Sequence, residues 1–329
     1  MKSKSLFIGL FGLSVLCANA QNVQSNNLAT SGGSGAGTTL TGGGRNTFYG
    51  YEAGKVSTTA SSNTFIGWSS GKSTTTNGGN TYVGSQSGLD NINGSANTFI
   101  GESSGLGNTT GHQNTYVGIN TGLGNNSSHN SFFGTEAGYG STGESNTYLG
   151  EGAGENAIGD RNLFLGYRAG MDVKKSNTFI VQDYLYYTLA PLMMGDFPTG
   201  KVGIGVTAFP STAGSVDVSG YKFFVKGGLL AEEIRVATTW ADYVFEKNYQ
   251  LPTLKEVEQH IAEKGHLINV PSGKQIEQDG ISVGEMAKIQ QEKIEELTLY
   301  IIEQNKINEK QAEELKELKE MVKALASKN

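Results

Sequence analysis

Asn97-Thr98-Phe99-Ile100-Gly101-Glu102-Ser103-Ser104-Gly105 is followed seventeen residues later by Asn114-Thr115-Tyr116-Val117-Gly118-Ile119-Asn120-Thr121-Gly122. The same phrase, Asn-Thr-aromatic-aliphatic-Gly, begins at Asn46, Asn63, Asn80, Asn97, Asn114, Asn130, Asn146, Asn162 and Asn177, at spacings of 17, 17, 17, 17, 16, 16, 16 and 15. A fixed period of this length is the signature of a repeat architecture and governs every other reading of the chain. Each unit is too short for a helical hairpin, and its glycines would cost a helix about 1 kcal/mol apiece. What fits is one coil of a parallel β-solenoid: a short strand, a Gly turn (Gly50 through Gly166), a small residue and a second Gly (Gly54 through Gly170), then a polar return loop. The small residues are Ala53, Ser70, Ser87, Ser104, Thr121, Ala137, Ala153 and Ala169, where bulk would not fit a narrow coil. The ninth copy has Val181 in place of the first Gly and reads as a terminal cap.

Side chains alternate faces along a strand. Phe48, Phe65, Tyr82, Phe99, Tyr116, Phe132, Tyr148 and Phe164 therefore share one face, the candidate core or trimer stripe. Tyr49, Ile66, Val83, Ile100, Val117, Phe133, Leu149 and Leu165 share the other. One set can fill the coil; the other is left as an exposed apolar stripe, which marks an interaction surface. The Asn column reads as an amide ladder or turn device. A Thr column at Thr47, Thr64, Thr81, Thr98, Thr115 and Thr147 raises a flat ice-binding face, but is expected to point inward.

Composition agrees with a regular, non-globular head. The 329 residues are 36% apolar and 17% charged, with 47 Gly and only 5 Pro, against about 45–50% apolar and 25% charged in ordinary domains. The charge is divided unequally. Residues 1–230 hold 12 basic and 12 acidic side chains, and 231–329 hold 13 and 19, with no basic stripe in either part. Nucleic-acid binding is excluded on that ground.

At the N-terminus, Lys2 and Lys4, the apolar run Leu6 to Leu16 and Ala18-Asn19-Ala20 form a secretory signal peptide, residues 1–20, so the mature chain is expected to begin at Gln21. The apolar run is shorter than the ~20 residues of a spanning helix. Cys17, the single cysteine, falls inside it, with Leu16 where a lipoprotein box wants a small residue; the mature chain would then have neither disulfide nor thiolate chemistry. No later segment reads as a transmembrane helix.

The series NTFIGWSSG, NTYVGSQSG, NTFIGESSG and SFFGTEAG resembles the head repeats of the YadA-like trimeric autotransporter adhesins, left-handed parallel β-rolls packed three to a head. The resemblance covers roughly residues 45–180 and implies a homotrimer. Those adhesins end in a membrane β-barrel, whereas this chain ends in a charged helix. Further on, Trp240-Ala241-Asp242-Tyr243-Val244-Phe245, Gly265-His266-Leu267 and Gly280-Ile281-Ser282-Val283-Gly284-Glu285-Met286 resemble the C-terminal region of tail-fibre-like surface proteins common in Bacteroidetes, over about residues 199–300. That similarity implies a cell-surface or secreted fibre.

The C-terminal part is also legible from its own residues. Thr253-x-x-Glu256 is a capping box opening a helix that ends before Gly265, and Ser282-x-x-Glu285 opens a longer one. Along it Ile294, Leu297, Ile301, Gln304, Asn308, Gln311, Leu315, Leu318, Val322 and Leu325 occupy successive a and d positions of a coiled coil with a polar middle. Ile or Val at a with Leu at d favours two strands, against the three implied by the head; the longer head interface is expected to set the number. The alternative is an amphipathic helix folded back on its own domain.

The expected organisation is therefore mainly β: a signal peptide at 1–20, a Gly/Ser/Thr-rich linker at 21–44, a β-roll head at 45–181, a β-rich neck at 182–230, a helical module at 231–283 and a coiled coil at 284–326. Catalysis is not expected. Gly67-Trp68-Ser69-Ser70-Gly71 matches G-x-S-x-G and Ser69-x-x-Lys72 matches S-x-x-K, but the repeat generates the first again at Gly101 to Gly105, and neither has its partners. His112 and His129 fall at equivalent positions of adjacent coils, about one strand spacing or ~4.8 Å apart. Two stacked His can bind metal or sense pH, yet no carboxylate recurs there, and no metal or cofactor is expected. The functional expectation is a secreted or cell-surface homotrimeric, adhesin-like fibre whose partners are its own copies and a glycan or surface ligand. The alternative is a carbohydrate-binding or phage-tail-fibre-like receptor-binding component, with Trp68 and Tyr51 as the exposed aromatics.

Overall fold

The structure, a computed structural model, describes residues 24–25, 28–184, 190–237 and 239–327. The signal-peptide reading and Cys17 lie outside the described residues. Two compact units are present: a solenoid unit running through Phe209 and taking in Tyr221–Gly228, and a second made of Pro210–Gly220 and the chain from Leu229 onward.

In the solenoid unit β1 (Gln24–Ser25) pairs antiparallel with β2 (Ala29–Gly32), and from β2 on each coil gives one short strand: β3 (Asn46–Tyr49), β4 (Thr64–Ile66), β5 (Thr81–Val83), β6 (Thr98–Ile100), β7 (Thr115–Val117), β8 (Ser131–Phe133), β9 (Thr147–Leu149), β10 (Leu163–Leu165) and β11 (Thr178–Val181). From β2 to β11 every neighbour is parallel, and from β3 to β10 like positions of the repeat face each other. The expected parallel β-solenoid is thus observed.

A coil this narrow accepts one ring per turn. Phe48, Phe65, Tyr82, Phe99, Tyr116, Phe132, Tyr148 and Phe164 have no exposed surface, and beyond the first pair their rings lie 4.5–4.9 Å apart and within 9° of parallel. These eight residues are core, so of their two expected roles the trimer stripe is excluded: no surface remains on them for another chain. The small residues from Ala53 to Ala169 are likewise fully buried. The second Gly of each coil is required because a Cβ on Gly105 would stand 2.4 Å from the Phe99 ring, and φ there is +65°. The first Gly answers a backbone contact: a Cβ on Gly84 would meet the Gly101 carbonyl oxygen at 2.3 Å.

The inward Asn column is a buried ladder. Each Asn Oδ1 accepts the backbone N–H of the next Asn at 2.9–3.0 Å. Each Nδ2 from Asn46 to Asn146 donates to a carbonyl 13 or 14 residues later, in the return loop of its own coil, at 2.8–3.1 Å. One side chain thereby fixes both the coil-to-coil register and the closure of its own loop. Buried amides left without such partners would cost about 1–3 kcal/mol each.

Three details differ from the sequence expectation. The Thr column does not point inward: Asn and the aromatic ring take the inner face, so strand alternation places Thr with the aliphatic residue outside, where these threonines are partly or fully exposed. The stretch expected to be a linker forms the first coil, with β2 paired in parallel to β3 and Ala29 opposite Asn46. The ninth copy is displaced by one residue: Leu163 faces Phe179, Ile180 enters the core, and the N–H of Thr178 rather than of Asn177 donates the ladder bond to Asn162 Oδ1 at 2.9 Å. After it the stacking ends, because β12 (Met193–Asp196) and β13 (Lys201–Ile204) pair antiparallel and only β16 (Phe223–Val225) returns parallel to β13.

The second unit contains a hairpin of β14 (Thr212–Ala213) and β15 (Val216–Asp217), a 3-10 turn at Asp242–Phe245, and helices α1 (Leu254–Lys264), α2 (Gly273–Asp279) and α3 (Val283–Ala326). The Thr253–Glu256 capping box, the left-handed Gly265 C-cap and the Ser282 N-cap are all present. Helix α2 was not anticipated, although Ser272, whose Oγ accepts from the Gln275 N–H, opens it with a Ser-x-x-Gln signature.

Replacing Asn97 by Ala removes the acceptor of Asn114 N–H and the donor to Gly111 O, both at 2.9 Å. The expected loss is about 1–3 kcal/mol for each orphaned group, with Gly84→Ala also destabilising and Gly220→Ala, whose Cβ meets nothing within 4 Å, near neutral; thermal unfolding by circular dichroism checks the order.

Candidate functional site

With the rings inside, the outer strand face carries Tyr49, Ile66, Val83, Ile100, Val117, Phe133, Leu149 and Leu165. Ile66, Ile100 and Phe133 are about two-fifths exposed (41%, 39% and 39%) and Leu149 is 53% exposed. Backbone bonds between coils hold these residues in one row, so the apolar exposure is continuous along the stack rather than scattered.

Past the Gly turn a second outward column is held in line by another ladder. Glu52 N–H donates to Ser34 O, Ser69 N–H to Tyr51 O, Gln86 N–H to Trp68 O, Ser103 N–H to Ser85 O and Asn120 N–H to Glu102 O, at 2.7–2.9 Å. In that column Tyr51 and Trp68 are about half exposed, with ring centroids 6.3 Å apart and planes 9° from parallel. Beside them Glu52 accepts from Lys55 and Lys72, each at 2.6 Å. The two lysines hold the Glu52 carboxyl down from 4.5 to about 2, through the hydrogen bonds first and the charges second.

Ser69, the G-x-S-x-G candidate, sits at φ +54° in the turn between two coils, with a buried Oγ. No helix follows it, so the strand-to-helix elbow that exposes a nucleophile is missing. His112 and His129 are brought together, ring centroids 5.5 Å apart and edge-on at 75°, and Ser128 Oγ lies 3.3 Å from His112 Nδ1. Among the described residues no group of three or more His, Cys, Asp or Glu could hold a metal ion.

In the second unit α3 uses two different faces. Ile294, Leu297, Ile301, Leu315, Leu318, Val322 and Leu325, the expected seam, are all more than half exposed, between 52% and 67%. The face packed on its own chain is polar instead. Glu292, Glu295 and Glu296 are buried; Tyr243 Oη donates to Glu292, Tyr249 Oη donates to Glu296, and Lys293 Nζ lies 2.9 Å from both Glu292 and Glu296. Tyr300 Oη donates to Pro252 O at 2.5 Å. Burial raises the Glu292 pKa, but the hydrogen bonds from Tyr243 and Lys293 outweigh it and the net displacement is downward. The sequence reading missed this cluster: acidic residues on a charged helix read as solvated, and only the tyrosines of Trp240–Gln250 hint at partners. Among the described residues no helix is long and apolar enough to cross a membrane.

No protein-family model, curated protein or solved structure matches the chain. The functional reading therefore rests on these surfaces.

Hydrogen bonding to Glu292, then burial, pushes the Tyr243 hydroxyl from 10.0 up to about 12. A raised folded-state pKa means that the contribution is whole below about pH 10 and is lost as pH rises through about 12. Alkaline titration should show tyrosinate absorbance and loss of helical signal rising together in that window. Tyr243→Phe should lower stability at neutral pH by about 1–3 kcal/mol.

Proposed function

We propose that the chain is the subunit of a secreted or cell-surface homotrimeric fibre, adhesin-like and without catalysis, that presents the solenoid as its attachment head. The observation that carries this reading is the way α3 is used. Packing on its own module is done by Glu292, Glu296, Lys293 and Tyr300, while the a/d residues stay exposed. A helix folded back on its own domain would bury its apolar seam, so the exposed seam supports assembly with other copies.

The outer strand stripe supports the same reading. Its aliphatic residues add non-directional area burial of about 25 cal/mol per Å² wherever another head covers them. Gln304, Asn308 and Gln311 interrupt the seam with polar layers that fix register at a cost in stability. The similarity of the repeats to YadA-like heads favours three copies, and the signal-peptide pattern of the first 20 residues favours export.

Sedimentation velocity on the full chain, on Ile301→Asp with Leu315→Asp, and on Ile100→Asp with Val117→Asp tests the proposal. The parent is expected to sediment as a trimer, the Ile100→Asp with Val117→Asp variant at lower mass, and the Ile301→Asp with Leu315→Asp variant as a trimer that dissociates at higher concentration than the parent does. Ile100, Ile301 and Leu315 are exposed and Val117 is half-buried on the outer strand face, none of them in the ring core, so circular dichroism should remain that of the parent. A parent that sediments as a monomer at tens of micromolar contradicts the proposal.

A further inference from the structure

We propose that the N-terminal coils carry a binding site for a neutral pyranose glycan, built on the column Tyr51, Trp68, Ser85 and Glu102. This gives the attachment role proposed above a ligand class, and it rests on that reading only for its biological purpose.

A backbone ladder holds these residues in line. Because each carbonyl of the column accepts the amide of the following coil at 2.7–2.9 Å, successive side chains are spaced by about one strand separation, ~4.8 Å. Tyr51 covers one side of the Trp68 indole, with planes 9° from parallel. The next residue along the column is only a serine, Ser85, so the other side of the indole is uncovered and Trp68 remains 50% exposed. Beyond Ser85 comes the exposed carboxylate of Glu102, about two strand separations or ~9.6 Å from the Trp68 position. An aromatic ring, a small hydroxyl and a carboxylate in that order along the coil surface present an apolar face and polar acceptors over about the span of one sugar ring.

The chemistry of this surface selects the ligand. A pyranose has one face of C–H bonds that stacks on an electron-rich aromatic ring and an edge of hydroxyls that donate to acceptors. Here the acceptors are Glu102, Ser85 Oγ and the side chain of Gln86 in the adjoining turn. The two lysines of this end, Lys55 and Lys72, are each held by Glu52 at 2.6 Å, and the exposed Glu102 carboxylate of the column itself repels an acidic sugar. Tyr51 and Trp68 already lie parallel, ring centroids 6.3 Å apart, and a preformed aromatic surface favours affinity.

The test uses the full chain with Trp240→Phe, leaving Trp68 as the single tryptophan, since the sequence has 2. Cellohexaose, mannohexaose, xylohexaose and laminarihexaose, each titrated to millimolar concentration, are followed by tryptophan emission and by calorimetry. At least one is expected to give saturable binding, weakened about tenfold or more by Trp68→Ala, a loss of about 1.4 kcal/mol, and more modestly by Glu102→Gln. No emission change and no heat with any of the four overturns the site, as does binding that Trp68→Ala leaves intact. Light scattering on the same samples separates the two claims: failure of the glycan site leaves the assembled mass unchanged, whereas failure of the fibre reading appears as a monomer whatever the sugars do.

Discussion

Everything in the solenoid follows from the parity of a three-residue strand inside a coil that admits one ring. Asn and the aromatic residue lie two apart and therefore point the same way. Once the ring is inside, Asn must be inside too, and a buried amide has to be fully bonded. The repeat meets that demand with a single residue: Oδ1 bonds the next coil and Nδ2 closes the loop of its own coil. Thr and the aliphatic residue are then forced outward together. The outer surface of the head is thus a by-product of how its interior is satisfied.

The ends of the stack show the same constraint relaxed. In the first coil Ser31 stands opposite Phe48, in the slot the ring would take, and Ala29 stands opposite Asn46. At the other end Thr178 takes over from Asn and Ile180 from the ring, and Asn162 Nδ2 no longer bonds a return-loop carbonyl. Antiparallel pairing of β11 with β12 then ends the run of parallel coils, and the sheet continues through β13 to β16 as its edge strand.

How much of this was legible depended on what the period could carry. Strand positions, turn glycines, the small buried column and the helix caps all follow from spacing and residue type, and the structure has them. The direction of the Thr column was misread because an aliphatic neighbour two residues on was weighed as a sign of burial; the polar but ladder-forming Asn was the decisive inward residue. The first coil was hidden because it lacks the Asn-Thr-aromatic phrase, although Gly33, Ala36 and Gly37 repeat the spacing of Gly50, Ala53 and Gly54. The slip at Asn177 was invisible for the opposite reason: Asn177-Thr178-Phe179 keeps the phrase while the shorter spacing of 15 shifts its register. Around α3 the seam was legible from heptads, and the glutamate–tyrosine packing was not, since pairing across 47 and 49 residues leaves no local pattern.

The proposed association uses two surfaces, one on each unit, that the fold leaves apolar and exposed. The most direct measurement is the solution mass, by light scattering, of residues 21–329 beside a chain ending at Gly280 that lacks α3. A trimer for both is the predicted result and places the dominant contact in the solenoid. A monomer for both contradicts the account, because neither the outer stripe nor the seam would then be an interface between copies of the chain.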